Sequence, residues 1–368
     1  MTQNELQQAR VEIDALDEQV QMLISRRARI AQQIAHIKQK MGDTGDHYRP
    51  AREAEVLRRV IERNQGPDGG PLTDEVMARL MREIMSACLS LESPLKVAYL
   101  GPEGTYTQAA VLKHFGDSVN ARANNAIDEI FREVESGAAD YGVVPVENST
   151  GGVVIHTLDE LIHTKLRICG EVALPVHHHL LSCGPDLDGV KRVYSHPQSF
   201  AQCRKWLDAK LPQAIRETVS SNGEAARRAR EEGEGVAAIA SLQAGRINAL
   251  NILAANIEDD PNNTTRFLVI GKQDPGATGH DITSVVMMAH RSHTPGALFK
   301  LLQPFAAAEL DMTRIESRPA KGSTVNDYYF FIDFIGHASE PRVQKALDAV
   351  RSEAAFFKVL GSYPRAVM

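Results

Sequence analysis

The sequence predicts a multidomain chain: an all-α N-terminal unit, an α/β centre and a ferredoxin-like α+β module at the C-terminal end. Three observations carry this. Apolar residues keep heptad spacing from Leu6 to Met41 with no proline or glycine between them. Short apolar runs alternate with amphipathic segments through residues 96–272. After residue 281 the order reads strand, helix, strand, strand, helix, strand.

A length of 368 residues is too great for one ordinary core, so two or three domains are expected. With 43% hydrophobic and 24% charged residues the composition is that of a globular protein, and a formal charge of -6 gives no general reason to bind nucleic acid. Cys88, Cys169, Cys183 and Cys203 are scattered without metal-ligand spacing and read as reduced thiols. The opening "MTQNELQQAR" lacks a basic stretch followed by an apolar core, and no segment reaches the roughly 18 continuous apolar residues of a membrane span. A cytoplasmic location without membrane contact is the resulting expectation.

In the first helix, one heptad set is Leu6, Ile13, Val20, Ile34 and Met41; the position it skips is Arg27. A cation in an apolar seam is costly to desolvate unless an anion meets it. Lys38 lies at nearly the same azimuth, about 16 Å further along the axis, so the two arms can close on a small anion from opposite ends. Arg10 is turned roughly 100° away and displaced by about 25 Å, and only an antiparallel, symmetry-related helix would bring it to the same ligand.

After the loop at 42–48, "RPAREAEVLRRVIERN" reads as a second helix with Arg52 and Glu53 in its first turns. "LTDEVMARLMREIMSACLSLE" reads as a third, with Cys88 and Glu92 on one face. A unit of residues 1–92 with so long a first helix is too thin to be complete alone, which predicts an intertwined homodimer or a dimer-based higher oligomer.

On "QQARVEIDALDEQV…SRRARIAQQIAHIK" this unit resembles the all-helical chorismate mutases. The resemblance implies that Arg10 is donated by the other subunit, that Arg27 meets a substrate carboxylate, and that Lys38 meets the ether oxygen as well as a carboxylate. It also implies that Arg52 and Glu53 form a substrate-facing pair, with Cys88 and Glu92 where some members carry serine and glutamine. Glu92 must be protonated to donate to an ether oxygen, so mutase activity is expected to fall at alkaline pH. The implied reaction is an intramolecular rearrangement that needs positioned cations and no nucleophile.

In the centre, "SPLKVAYLGPEGTYTQAA" is a strand, a glycine-containing turn and a helix, without the ending of a Walker A loop. Polar residues gather at the ends of apolar runs: Glu147, Asn148 and Ser149; Ser195, His196 and Gln202; Thr264, Thr265 and Arg266. The run at 177–179 is three adjacent histidines, which cannot converge on one ion from an extended strand, so structural or solvent roles are expected.

The order "GPEGTYTQAA", "PVENSTGG", "SHPQSFAQC", "TTRF" closely resembles prephenate dehydratases over residues 96–272. That implies a two-lobed fold like the type II periplasmic binding proteins, with the active site between lobes. Thr265 would be the catalytic hydroxyl, Asn148, Ser149, Ser195 and Gln202 cleft residues, and Arg266 the cation facing a carboxylate. Aromatisation drives loss of carboxylate and hydroxide, so a placed hydroxyl suffices in principle.

Residues 273–280 read as a linker, and 281–363 as the C-terminal module. "TPGAL", "ESRP" and "VLGSYP" make it resemble an ACT domain of the phenylalanine-binding type. That implies an effector site using backbone at Gly296, Ala297 and Leu298, framed by Glu316, Ser317 and Arg318. Together the resemblances imply two successive reactions, chorismate to prephenate and prephenate to phenylpyruvate, with no cofactor or metal and with feedback inhibition by L-phenylalanine. Arogenate dehydratase activity and a non-catalytic, amino-acid-responsive binding protein are the alternatives.

Overall fold

The computed structural model describes residues 3–42, 48–67, 69–289, 295–320 and 327–367. The loop expected at 42–48 lies largely outside the described residues, as do residues 290–294.

The long helix forms as the heptads predict. α1 (Gln3–Lys40) runs 38 residues and has no buried residue. Leu16, Leu23, Ile30 and Ile37 are all exposed, so within one chain the apolar stripe has little to cover it. α2 (Pro50–Asn64) starts on a proline, whose missing N–H would be unpaired there anyway. α3 (Asp74–Ser90) is capped by the Thr73 hydroxyl, which accepts from Val76 N. Leu57, Val60 and Ala78 are buried where α2 and α3 pack together.

The first central lobe contains β1 (Lys96–Leu100), α4 (Tyr106–Phe115), β2 (Asn120–Asn124), α5 (Ile127–Ser136), β3 (Tyr141–Asn148), β4 (Gly152–Val153), α6 (Ile155–His163) and β5 (Arg167–Pro175). The chain then crosses to a second lobe of β6 (His179–Ser182), β7 (Arg192–Ser195), α7 (Pro197–Gln202), α8 (Arg204–Lys210), β8 (Ile215–Thr218), α9 (Asn222–Glu232), β9 (Val236–Ala240), α10 (Leu242–Ile247) and β10 (Asn251–Ala254). It returns to the first sheet as β11 (Thr264–Gly271). The strand orders are β2-β1-β3-β11-β5, with β4 on β3, and β10-β6-β9-β7-β8. α7 and α8 are separated at Cys203 (φ -115°, ψ 15°).

The C-terminal module is β12 (Asp281–Ala289), α11 (Ala297–Ala307), β13 (Met312–Pro319), β14 (Tyr328–Ile335), α12 (Pro341–Glu353) and β15 (Ala354–Pro364), with strand order β13-β14-β12-β15. That is the ferredoxin-like arrangement. Its sheet does not hang free: Ile282, Val286, Phe331 and Leu360 share one buried core with Val144, Leu158 and Ile168 of the first lobe. Contact is close enough that a Cβ on Gly361 would come within 2.2 Å of the Ile168 carbonyl oxygen.

The helical unit docks through Tyr48, whose ring packs among Phe115 and Tyr141. Arg58 adds a bond to Thr278 Oγ1 at 2.9 Å. Among the described residues, no helix is long and apolar enough to cross a membrane.

Candidate active sites

β3 and β11 pair antiparallel with Asn148 opposite Thr265 and Glu147 opposite Arg266. Successive side chains on a strand point to opposite faces, so Asn148 and Thr265 share the face toward the second lobe. Asn148 Nδ2 donates to Thr265 Oγ1 at 2.8 Å and to Asn263 Oδ1 at 2.8 Å. Its Oδ1 accepts from Gly151 N at 2.7 Å and Thr150 Oγ1 at 2.8 Å, which fixes the amide's orientation. Thr265 Oγ1 is thereby an acceptor toward Asn148, and its own proton is left for the cleft.

That cleft is a cavity of about 340 Å³ between the lobes, lined by Thr105, Tyr106, Asn148, His178, Gln198, Gln202, Asn222 and Thr265 among others. Among the described residues, no lysine, arginine, aspartate or glutamate lines it. The first turns of α4 and α9 form part of its wall, capped by the hydroxyls of Thr105 and Ser221. Helix N-termini present backbone N–H groups and a partial positive charge, so the wall suits carboxylates without a cationic side chain.

The other expected cleft residues divide. Gln202 lines the cavity, bonds Thr150 Oγ1 across the lobes, and accepts from His178 Nε2 at 2.8 Å. Ser195 is fully buried behind the wall, with its Oγ 3.3 Å from Asn222 Oδ1, and reaches the cavity through that residue. Ser149 is an exposed clasp: its N donates to Thr264 O at 2.9 Å, and its Oγ accepts from Thr264 N at 3.0 Å.

Tyr106, His178, Gln198 and Asn222 are among the cavity residues that the sequence did not single out. The Tyr106 hydroxyl lies 2.8 Å from His178 Nδ1. Burial pulls the His178 ring below the ordinary imidazole value, and its Nε2 donates to Gln202 Oε1, while the Tyr106 hydroxyl lies equally close, at 2.8 Å, to the His177 carbonyl oxygen, to which it donates. His177 is instead paired with Glu258 at 2.8 Å, and His179 Nδ1 accepts from Asn256 N. The three histidines thus go separate ways, and only His178 reaches the cleft.

Arg266 corrects an expectation. Strand alternation turns it away from the cleft and toward the C-terminal module: Nε meets Glu171 of β5 at 2.9 Å, while Nη1 meets Asp333 at 2.6 Å and Nη2 donates to Tyr363 at 3.0 Å in that module. It is not a cation facing a substrate carboxylate in this structure.

On the helical unit, Arg27 and Lys38 are half-buried on α1, and Arg27 Nη1 donates to Ile84 O of α3 at 3.4 Å. Arg10 is exposed. Cys88 is buried and Glu92 half-buried at the end of α3. The structure does not gather the Arg52–Glu53 pair with these groups. Arg52 is exposed and bonded to Glu55 at 2.6 Å. Glu53 turns toward Arg82, 3.5 Å away, in a small cavity of about 40 Å³ that also touches Tyr48, His114, Cys169 and Arg365. Burial raises the Glu53 carboxyl to about 7 against the opposing pull of Arg82, and burial lowers His114 to about 3.

In the C-terminal module, Gly296 adopts a left-handed conformation (φ 82°) just before α11, and Ala297 and Leu298 form its first turn. On β13, Glu316 and Arg318 are half-buried while Ser317 is exposed. Arg318 pairs with Asp159 of α6 through Nε and Nη2, so it ties the module to the first lobe.

Comparison with known proteins finds three families along the chain. The chorismate mutase type II family matches residues 9–93, the prephenate dehydratase family 97–275 and the ACT domain family 285–352. A bifunctional chorismate mutase/prephenate dehydratase of Pseudomonas aeruginosa is 51% identical, covering 100% of this chain and 99% of its own. One of the same description from Neisseria gonorrhoeae is 48% identical over 97% of this chain and 96% of its own. The crystal structure of a prephenate dehydratase from Arthrobacter aurescens in complex with L-Phe superposes with a TM-score of 0.68 and 35% identity, covering 74% of this chain and 90% of that one. The chain therefore belongs to the family of bifunctional chorismate mutase/prephenate dehydratases.

Proposed function

We propose that prephenate binds between the central lobes with its carboxylates at the first turns of α4 and α9, and that Thr265 serves its leaving hydroxyl. As the ring carboxylate departs as carbon dioxide, its bonding electrons enter the ring and expel the hydroxyl. The Thr265 hydroxyl supplies a hydrogen bond and a proton to that oxygen, water leaves, and the threonine proton is restored from solvent. The observation that carries this reading is the fixed Asn148 amide, which makes Thr265 Oγ1 an acceptor on one side and frees its proton for the cavity.

For the first reaction, Arg27 and Lys38 hold chorismate against the end of α3, with Cys88 and Glu92 beside it and Arg10 arriving from a second subunit. The exposed apolar stripe of α1 supports an intertwined homodimer. Arg52 and Glu53 join this site only if α2 re-aims them, since Glu53 here faces Arg82. L-phenylalanine is the effector of the ACT module, held near Gly296, Ala297 and Leu298 with Glu316, Ser317 and Arg318 at the border. Cys88, Cys169, Cys183 and Cys203 form no disulfide among the described residues, which suits a reducing, cytoplasmic setting.

Purified enzyme supplied with chorismate, with prephenate and phenylpyruvate followed separately, tests the division. Arg27→Ala removes the first product and Thr265→Ala only the second; retention of both reactions in both variants sinks it. Ser317→Tyr is expected to weaken L-phenylalanine binding at equilibrium, and unchanged binding with full inhibition would rule out the effector site.

A further inference from the structure

The two cleft residues each have a chain neighbour clamped to the ACT module. Asn148 is preceded by Glu147 and Thr265 is followed by Arg266, and these neighbours face each other across the same ladder. On the other side, Arg314 of β13 and Asp333 of β14 also face each other as a register pair. The two pairs meet in alternating charge: Arg266 Nη1 to Asp333 Oδ2 at 2.6 Å, and Arg314 Nε to Glu147 Oε2 at 2.8 Å. Arg266, Arg314 and Asp333 are largely shielded, with side-chain exposures of 20%, 14% and 8%.

We propose that this quartet is the coupling device between effector module and dehydratase cleft, with Arg266 and Glu147 as positioning residues for Thr265 and Asn148. The proposal rests on the reading of Thr265 and Asn148 as the cleft's chemistry.

Its physical basis is local. A strand cannot move Arg266 without moving Thr265, because consecutive residues are rigidly joined and oppositely directed. Both ladders carry an irregularity beside the clamped pair, at Val146 of β3 opposite the step from Arg266 to Phe267, and at Thr313 of β13 between Met312 and Arg314. A bulge is where a strand can re-aim its side chains, so each sheet has its adjustable point next to the clamp. Asp333 is further fixed by Ser284, whose Oγ donates to its Oδ1 at 2.6 Å, so its placement follows the ACT sheet as a whole. Arg314 Nη2 is buried with no hydrogen-bond partner among the described residues, so this arrangement leaves a donor that another could satisfy. An effector that binds two arrangements of β13 and β14 unequally would shift Thr265 relative to Asn148 through these bonds.

Removing Arg266 or Asp333 leaves a buried charge and risks the fold, so the test uses the more accessible Glu147–Arg314 bond in the full-length chain. Glu147→Gln, Arg314→Gln and the double variant are assayed for dehydratase rate with and without saturating L-phenylalanine. Mutase rate serves as the folding control, and L-phenylalanine binding is measured by calorimetry. Each single variant is expected to bind L-phenylalanine yet lower the ratio of uninhibited to inhibited rate by about tenfold, the double falling no further than either single. Parent-like ratios, additive losses in the double variant, or a parent enzyme indifferent to L-phenylalanine would each overturn the proposal. Thr265→Ala, run in parallel, reports on the cleft reading alone: a parent-like dehydratase rate there faults the assignment of Thr265, while the inhibition ratios still judge the quartet.

Discussion

Asn148 and Thr265 are opposite residues on neighbouring strands, and the Asn148 amide donates to the Thr265 hydroxyl rather than accepting from it. The direction matters because a hydroxyl has one proton. Thr265→Ala, which deletes the proton donor, is expected to lower the dehydratase kcat by about 10² to 10⁴ with the mutase rate unchanged. Thr265→Ser retains the donor and should recover most of the loss. Asn148→Ala keeps the hydroxyl but frees its rotation, so its rate should fall between the two. Equal rates for the alanine and serine variants, measured as phenylpyruvate formed from prephenate, would remove the hydroxyl from the chemistry.

α1 makes a prediction that needs no new structure. If each mutase site combines Arg27 of one chain with Arg10 of its partner, then Arg10→Ala and Arg27→Ala homodimers are both inactive. A mixed dimer of the two has one site lacking both arginines and one site lacking neither. Co-refolding the two inactive variants should therefore restore mutase activity, and mixing without subunit exchange should not. Failure of co-refolded material to regain activity would place Arg10 outside the site.

The lengths and types of the main elements were legible because they follow from periodicity and punctuation. The heptads gave α1 to within a few residues of Gln3–Lys40, and the C-terminal order gave the sheet of β12 to β15. Side-chain direction was harder. "TTRF" places a hydroxyl and a cation side by side, yet which of them faces the cleft depends on strand parity relative to β3, and a ladder register is a tertiary fact. The same ambiguity hid His178 among three histidines, of which alternation and the approach of Tyr106 and Gln202 select one. Glu53 was assigned by its motif, whereas its burial beside Arg82 depends on how α2 meets α3 and the first lobe.

The lobes touch at Gly104, whose φ of 83° lies in the left-handed region. A Cβ there would approach Ala244 Cα of the second lobe to 2.9 Å, and Ser241 Oγ donates to the Gly104 carbonyl at 2.8 Å. Gly104→Ala is expected to strain this turn and hold the lobes apart, raising the KM for prephenate by about tenfold, equivalent to about 1.4 kcal/mol of lost binding. The mutase KM for chorismate should not change. An unaltered prephenate KM would show that this contact does not set cleft closure.

Glu53 links the helical unit to pH. Its folded value of about 7 lies above the ordinary carboxyl value of 4.5, so the folded state holds the proton more tightly than the unfolded chain. The stabilisation associated with that proton is fully present below about pH 4.5 and is lost as pH rises through about 7. Arg82, Tyr48, His114, Lys113, Glu171 and Arg365 share the cavity, and His114, held at about 3, stays neutral across this window. Glu53→Gln keeps the side chain's shape and removes its titration. Between pH 5 and pH 8 the urea midpoint of the parent should therefore fall more than that of Glu53→Gln, with the variant the more stable at pH 8. Parallel stability profiles for the two proteins would mean that the carboxyl is hydrated, and that α2 is free to turn it toward Arg27.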